Sequence, residues 1–379
     1  MKYLPNHKKI MIILTENCNL RCTYCYEQNK RGSSMNFEIA KKILDDAYSA
    51  FDGYENMIIE LHGGEPFVKF SLIKEIDAYV MNRYSYIPVL FRAITNGTLV
   101  HGEVQDWLRE RKNRYEIMLS LDGNETVHDM NRRTIDGNGS YKDIDLDFFL
   151  NTWKDCPISM TVTESTLPYL AENTIWLQQK GFVCYNAFQW ATKWNVNTSV
   201  PILKRELDKL VAYYSDHTQA RLCLLLNYRF MDFLKPIDSA YRYCVDIDDP
   251  EECYDAKGKY APCHGFTEFT VGSAEIAAQF ADKTIHDFIF EPENVCYNCK
   301  LVRLCRICFA ANHMLTGNMQ IQNEEICIFN RMCIMASIEI LKNRMQKEAS
   351  IDDNLLYTAD QIIHYMHYRE RFNKFDYKI

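Results

Sequence analysis

A chain of 379 residues, 47% apolar and 25% charged, is long enough for one large domain and a small one and has ordinary globular composition. Its 43 basic and 51 acidic residues give a net charge of −8, which argues against a nucleic-acid footprint or a polybasic membrane surface. Met1 to Lys9 is polar and basic, Ile10 to Leu14 is too short for the apolar core of a secretory signal, and no window reaches the ~18 uninterrupted apolar residues of a membrane span, so a cytoplasmic location is expected.

Through the first two hundred residues, short apolar runs alternate with longer amphipathic stretches. Strands are expected near 9–15, 57–62, 89–95, 115–121, 157–163 and 182–189. Helices are expected near 37–50, 70–84, 101–112, 140–153, 168–179 and 201–217. Continuous apolar runs such as Ile10-Met-Ile-Ile-Leu14 read as strands covered on both faces of a parallel sheet. Six strand–helix alternations predict an α/β fold, a partial or full barrel, with active residues in the loops after the strand C-termini. The unusual residues fall in those loops. Cys18-Asn-Leu-Arg-Cys22-Thr-Tyr-Cys25 follows the first strand, Gly63-Gly-Glu-Pro66 the second, Thr95-Asn-Gly97 the third, and Ser120-Leu-Asp-Gly123 ends the fourth.

From about residue 236 the alternation gives way to cysteines. Residues 236–335 read as a small metal-organised domain with a β-hairpin near 253–270, after a first domain over 1–235. Residues 336–379 read as a helical tail, where Thr358-Ala-Asp-Gln361 fits a capping box before Ile362. Fifteen cysteines in a chain of this kind point to metal or redox ligation, since disulfides are rare in the cytosol. Cys156, Cys184 and Cys223 stand alone and read as buried thiols. The other twelve form two groups. Three thiolates at i, i+4 and i+7 suit three corners of an iron–sulfur cube and leave one iron open; a zinc site is the alternative. The C-x2-C pairs of the second group equally suit zinc.

With Tyr24 as its aromatic, the Cys18, Cys22, Cys25 segment resembles the radical S-adenosylmethionine superfamily, whose signature is C-x3-C-x-aromatic-C. The resemblance implies a [4Fe–4S] cluster whose open iron is chelated by S-adenosylmethionine, and a 5′-deoxyadenosyl radical that takes a substrate hydrogen. Gly63, Gly64 and Glu65 match the family's GGEP motif, with Glu65 accepting from the methionine ammonium. Ser120 and Asp122 are the candidates for the ribose hydroxyls. His128-Asp-Met-Asn-Arg132 resembles the family's HDxxR stretch, whose arginine pairs with the cofactor carboxylate; Arg133 is then a solvated neighbour. Asn96 faces the same mouth or serves its loop.

The second group resembles the SPASM extension of radical S-adenosylmethionine enzymes, which holds two auxiliary [4Fe–4S] clusters and would bring the total to three. The pattern C-x(9–15)-G-x4-C fits Cys244, Gly258 and Cys263. The following C-x2-C-x5-C-x3-C fits Cys296, Cys299 and Cys305, but two residues replace three before Cys308. The family's interlaced ligation implies Cys244, Cys263 and Cys308 on one cluster, with Cys253 as fourth ligand, and Cys296, Cys299, Cys305 and Cys327 on the other. Cys333 is left over. Without Cys253 the first of these clusters has an open iron.

Enzymes with this two-part pattern mostly modify peptides or proteins. Sulfatase maturases carry an Asp base after the cysteine of G-x4-C, and here that position is His264, which serves as a base or as a structural residue. The resemblance therefore implies a maturase of ribosomally made precursor peptides of the sactipeptide or ranthipeptide type, forming a cysteine thioether. Formylglycine formation and carbon–carbon crosslinking are the alternatives within the family, and a zinc-organised binding module the alternative outside it. The partners implied are the precursor peptide and an external one-electron donor of flavodoxin or ferredoxin type, with no nucleic acid and no membrane. The first strand starts near residue 9, which leaves no room for an N-terminal leader-binding domain.

Overall fold

The structure, a computed structural model, describes residues 4–235, 251–348 and 352–368. In chain order its elements are β1 (His7–Thr15), α1 (Phe37–Ser49), β2 (Asn56–Gly63), α2 (Phe70–Arg83), β3 (Val89–Thr95), α3 (Glu103–Arg111), β4 (Tyr115–Ser120), α4 (Glu125–Asn131), α5 (Leu146–Thr152), β5 (Pro157–Val162), α6 (Leu170–Gln179), β6 (Val183–Phe188) and α7 (Val196–Asp216). There follow β7 (Glu251–Tyr254), β8 (Tyr260–Ala261), two single turns α8 (Glu268–Val271) and α9 (Ala274–Ala278), then α10 (Phe309–Thr316), α11 (Glu324–Glu348) and α12 (Asp353–Tyr368).

The strands form one sheet in the order β6-β5-β4-β3-β2-β1-β7-β8. β1 to β5 pair in parallel as neighbours, which is the expected α/β succession. β1 explains its own placement. Ile10, Ile12, Ile13 and Leu14 are fully buried, as a strand covered on both faces requires. Its other edge is occupied by β7 in parallel register, and β8 returns antiparallel to β7. The expected hairpin near 253–270 is thus a four-residue and a two-residue strand; beyond Cys263 the chain turns into short helices.

Two helices depart from expectation for local reasons. The helix expected over 140–153 is only Leu146–Thr152, because Asp145 caps it by accepting from Phe148 N at 3.1 Å. The capping box at Thr358 is not one. Asp352 caps α12 by accepting from Asn354 N and Leu355 N at 3.1 Å each, and Thr358 lies inside the helix donating back to Asn354 O at 2.7 Å.

The chain divides into two compact units that interleave in sequence. The first comprises Met1–Thr161, Trp176–Tyr185 and Asp248–Asp287; the second comprises Val162–Ile175, Asn186–Ile247 and Phe288–Ile379. Pairing of β7 with β1 is what assigns the 248–287 segment to the first. In the second unit, Ala359, Ile362 and Met366 of α12 join Phe230, Phe233, Ile334 and Ile338 in one apolar core. Among the described residues no helix is long and apolar enough to cross a membrane.

Candidate functional site

The cysteine loop leaves β1 and is pinned from outside. Arg21 N donates to Arg133 O at 2.7 Å and Thr23 N to Asn131 O at 2.9 Å, so the chain at the end of α4 clamps it. The Thr23 hydroxyl adds a bond to Asn131 Oδ1 at 2.7 Å. All three thiols are half-buried. Burial pushes Cys18 up to about 12 and raises Cys22 and Cys25; Cys22 adds to the rise at Cys18, and Cys25 to that at Cys22. Three adjacent thiols of this kind are poor as free thiolates and good as ligands to a cationic iron centre, so the donor set fits the cluster. Lys30 went unnoticed in the sequence. Burial works against its charge, but Cys25, Cys18, Glu27 and Cys22 around it outweigh that and hold its ammonium above the usual range.

Gly63 and Gly64 sit against the start of this loop. A Cβ on Gly64 would lie 2.5 Å from Asn17 O and 2.7 Å from Glu16 O, and Gly63 has φ +155 with Thr15 O equally close. Gly64 N donates to Thr15 O at 2.8 Å and Glu65 N to Asn17 O at 3.0 Å. The motif therefore packs the end of β2 onto the backbone that carries Cys18. Gly64→Ala forces backbone apart and is expected to destabilise the protein by about 1–3 kcal/mol, read as a fall in the denaturant midpoint.

Glu65 is almost fully buried and accepts from Thr95 Oγ1 at 2.7 Å, Phe67 N at 3.1 Å and Asn96 N at 2.8 Å. A carboxylate has about four acceptor sites, so one remains for a further donor. Burial pushes its carboxyl up to about 7 despite these three donors, and a bound cation would draw it down. Asn96 reaches Asn19 Oδ1 at 2.9 Å and lies 4.0 Å from Cys18 Sγ.

At the end of β4, Asp122 is a junction. Its Oδ2 accepts from Tyr24 OH at 2.8 Å and lies 3.1 Å from Arg132 Nε, and its Oδ1 accepts from Thr161 N at 2.9 Å. The Arg132 guanidinium lies 5.3 Å from the centre of the Tyr24 ring. Asp122 and Arg132 are both buried, as is Ser120. Around them, His128 accepts from Asp122 N at 3.4 Å through Nδ1 and meets Ser140 Oγ at 3.1 Å through Nε2. Asp129 accepts from Ser140 N and Tyr141 N, both at 2.9 Å. The loops after β1, β2, β3 and β4 therefore touch one another.

His264 lies in the first unit with Tyr26 and His62, at ring distances of 5.8 and 5.4 Å; His62 Nε2 is 3.7 Å from Glu27 Oε1. Burial pushes His264 down to about 3, helped by His62 and Lys9, so it is neutral near pH 7. The unfolded chain takes up this proton near pH ~6.5, whereas the folded chain refuses it until about 3. Stability should therefore fall as pH drops from about 6.5. His264→Gln should remove at most about 2 kcal/mol of that loss at pH 5, checked by denaturant midpoints at pH 7 and 5.

In the second unit, Cys296, Cys299, Cys305 and Cys327 line one small cavity whose other walls include Leu301, Val302, Ile307 and Ile334. Burial holds the Cys305 thiol well above its ordinary value, and Cys327, Cys296 and Cys299 add to it. Among the described residues no three His, Cys, Asp or Glu converge closely enough to hold a single metal ion. Four sulfurs around a cavity fit a larger inorganic group. Cys308 accepts from Ala311 N at 3.4 Å and caps α10. Cys263 is buried, and Cys253 packs with Met11, Ile13, Ala256 and Phe269 in an apolar core. Cys244 lies outside the described residues. Cys333 is fully buried in α11, and Cys156, Cys184 and Cys223 are buried as expected.

The family model described as "4Fe-4S single cluster domain" matches residues 9–142. The chain is 32% identical over 168 residues to an uncharacterised protein of Methanocaldococcus jannaschii, spanning 44% of this chain and 56% of that relative's length. It is 21% identical to the radical SAM cyclopropyl synthase TigE of Paramaledivibacter caminithermalis, covering 89% of this chain and 75% of the synthase. To the cysteine-type anaerobic sulfatase-maturating enzyme of Clostridium novyi it is 29% identical over 141 residues, 34% of this chain and 36% of that enzyme. Among solved structures, native anSMEcpe with bound AdoMet and Cp18Cys peptide shares the fold with a TM-score of 0.65 at 17% identity, over 94% of this chain and 99% of that one.

Proposed function

We propose that this chain is a radical S-adenosylmethionine enzyme with a SPASM-type second half, a reading supported by the cluster-domain match over 9–142 and the likeness to the cyclopropyl synthase, and that it matures a ribosomally made precursor peptide by installing a cysteine thioether. The observation that carries the proposal is the mutual contact of the four strand-end loops: the cysteine loop, the Gly-Gly-Glu turn, Asn96 and the Asp122–Arg132 pair. When bound there, a [4Fe–4S] cluster and S-adenosylmethionine supply a radical that takes a hydrogen atom.

The chain's own residues have separable tasks. Cys18, Cys22 and Cys25 hold the cluster, with Tyr24 locked by Asp122 to keep the loop in place. Glu65 offers its remaining acceptor site to the cofactor ammonium. Arg132, oriented by Asp122 on one edge, presents the rest of its guanidinium to the carboxylate. Asp122 already accepts from three sides, so Ser120 is the better placed of the two ribose candidates. Burial holds His264 neutral down to about 3, which favours the structural role over that of a base toward the peptide thiol.

Forming a thioether removes two hydrogens from the peptide, and the surplus electron needs an acceptor. The cysteine-lined cavity of the second unit is proposed to hold one. The apolar packing of Cys253 supports the arrangement in which it does not ligate. The sulfatase-type reaction is the second reading, favoured by the likeness to the sulfatase-maturating enzyme of Clostridium novyi and disfavoured by His264 at the base position.

Mass spectrometry of a small cysteine-containing peptide encoded beside this chain and co-expressed with it tests the proposal. Loss of two hydrogens with one thiol no longer alkylatable is expected. The same loss with every thiol alkylatable would indicate a carbon–carbon bond, and an aldehyde in place of a cysteine would indicate the sulfatase-type reaction.

A further inference from the structure

Asn330 lies in the second turn of α11, buried, beside the four-cysteine cavity of the second unit. Its carboxamide nitrogen donates to Cys305 Sγ at 3.3 Å and to Arg306 O at 3.3 Å. The orientation of the amide is fixed by chemistry: a backbone carbonyl and a cysteine sulfur both accept, so the NH2 end must face them. Asn330 and Arg331 are adjacent, and both line the cavity, where Arg331 is the charged side chain among the lining residues.

Hydrogen bonds to ligating sulfur withdraw electron density and favour the reduced, more negative state of an iron–sulfur cluster. We infer that Asn330 is a positioning residue which holds the cluster of Cys296, Cys299, Cys305 and Cys327 at a raised reduction potential through its hydrogen bond to Cys305. This rests on the reading that those four cysteines bind a cluster. It gives that cluster a defined property: it is easier to reduce than the same cluster without the bond.

The test uses the full chain, reconstituted without oxygen, with Cys18, Cys22 and Cys25 replaced by alanine so that only auxiliary clusters contribute. Asn330→Leu removes the donor at similar volume, and Asn330→Asp replaces it with an acceptor. Electron paramagnetic resonance is followed through a redox titration, alongside iron content. In both variants, iron content should hold, and one auxiliary transition should move to lower potential. At a fixed potential near its midpoint the reduced-to-oxidised ratio should drop roughly tenfold, about 59 mV for a one-electron couple. An unmoved midpoint with iron intact overturns the inference. So does loss of about four irons in both variants, which would make Asn330 a support for assembly. If Cys305→Ala leaves the iron content unchanged, the cluster reading itself fails, independently of Asn330.

Discussion

Replacing Cys18, Cys22 and Cys25 together by alanine should abolish S-adenosylmethionine cleavage and remove about a third of the iron, one cube of three. The loop itself should survive. Its bonds to Arg133 O and Asn131 O come from backbone, and the Thr23 bond to Asn131 is untouched. Burial raises all three thiols, so near pH 7 they are protonated and losing them removes no stabilising charge; their hold on Lys30 belongs to the ionised form. The folded variant should therefore keep a denaturant midpoint close to that of the cluster-free parent while losing all activity. Iron analysis and detection of 5′-deoxyadenosine check the two halves separately. Retained cleavage would move the reaction away from this loop.

Asp122→Ala should be the most damaging single change outside the cysteines. The carboxylate takes Tyr24 OH, faces Arg132 and accepts from Thr161 N, and the aspartate and arginine are both buried. Truncation leaves a buried guanidinium without its counter-charge, which costs about 3–5 kcal/mol. It also frees the Tyr24 hydroxyl, and with it the cysteine loop, from the end of β4. The denaturant midpoint should fall accordingly, and cluster reconstitution should become poor. Asp122→Asn keeps the shape and loses the charge opposite Arg132, so it should fall between the parent and alanine. If Asp122→Ala folds and reconstitutes like the parent, the junction is not what fixes the loop.

The parts of this site that repeat a short-range rule were legible in the sequence. Ile10 to Leu14 is apolar throughout because both faces of β1 are covered, and that run marks the strand without any knowledge of its neighbours. The loops that follow such strands could be located from it. Other parts depend on long-range geometry. β7 is four residues long, and nothing local says that it pairs with β1. The clamp on the cysteine loop is made by carbonyls at 131 and 133, and backbone atoms leave no residue signature. His128 and Asp129 belong to a recognisable stretch, yet their tasks, holding Asp122 N and the 140–141 turn, appear only when the chain is folded. Thr358 shows the converse. Its pattern with Gln361 satisfies a capping rule, but Asp352 starts the helix earlier and the threonine is left inside it.

The most direct test is to purify the chain without oxygen, reconstitute it, add S-adenosylmethionine and a strong one-electron reductant, and measure 5′-deoxyadenosine together with bound iron. A brown protein with about twelve irons per chain that releases 5′-deoxyadenosine and methionine is the predicted result. A colourless protein that binds zinc and leaves S-adenosylmethionine intact would contradict it.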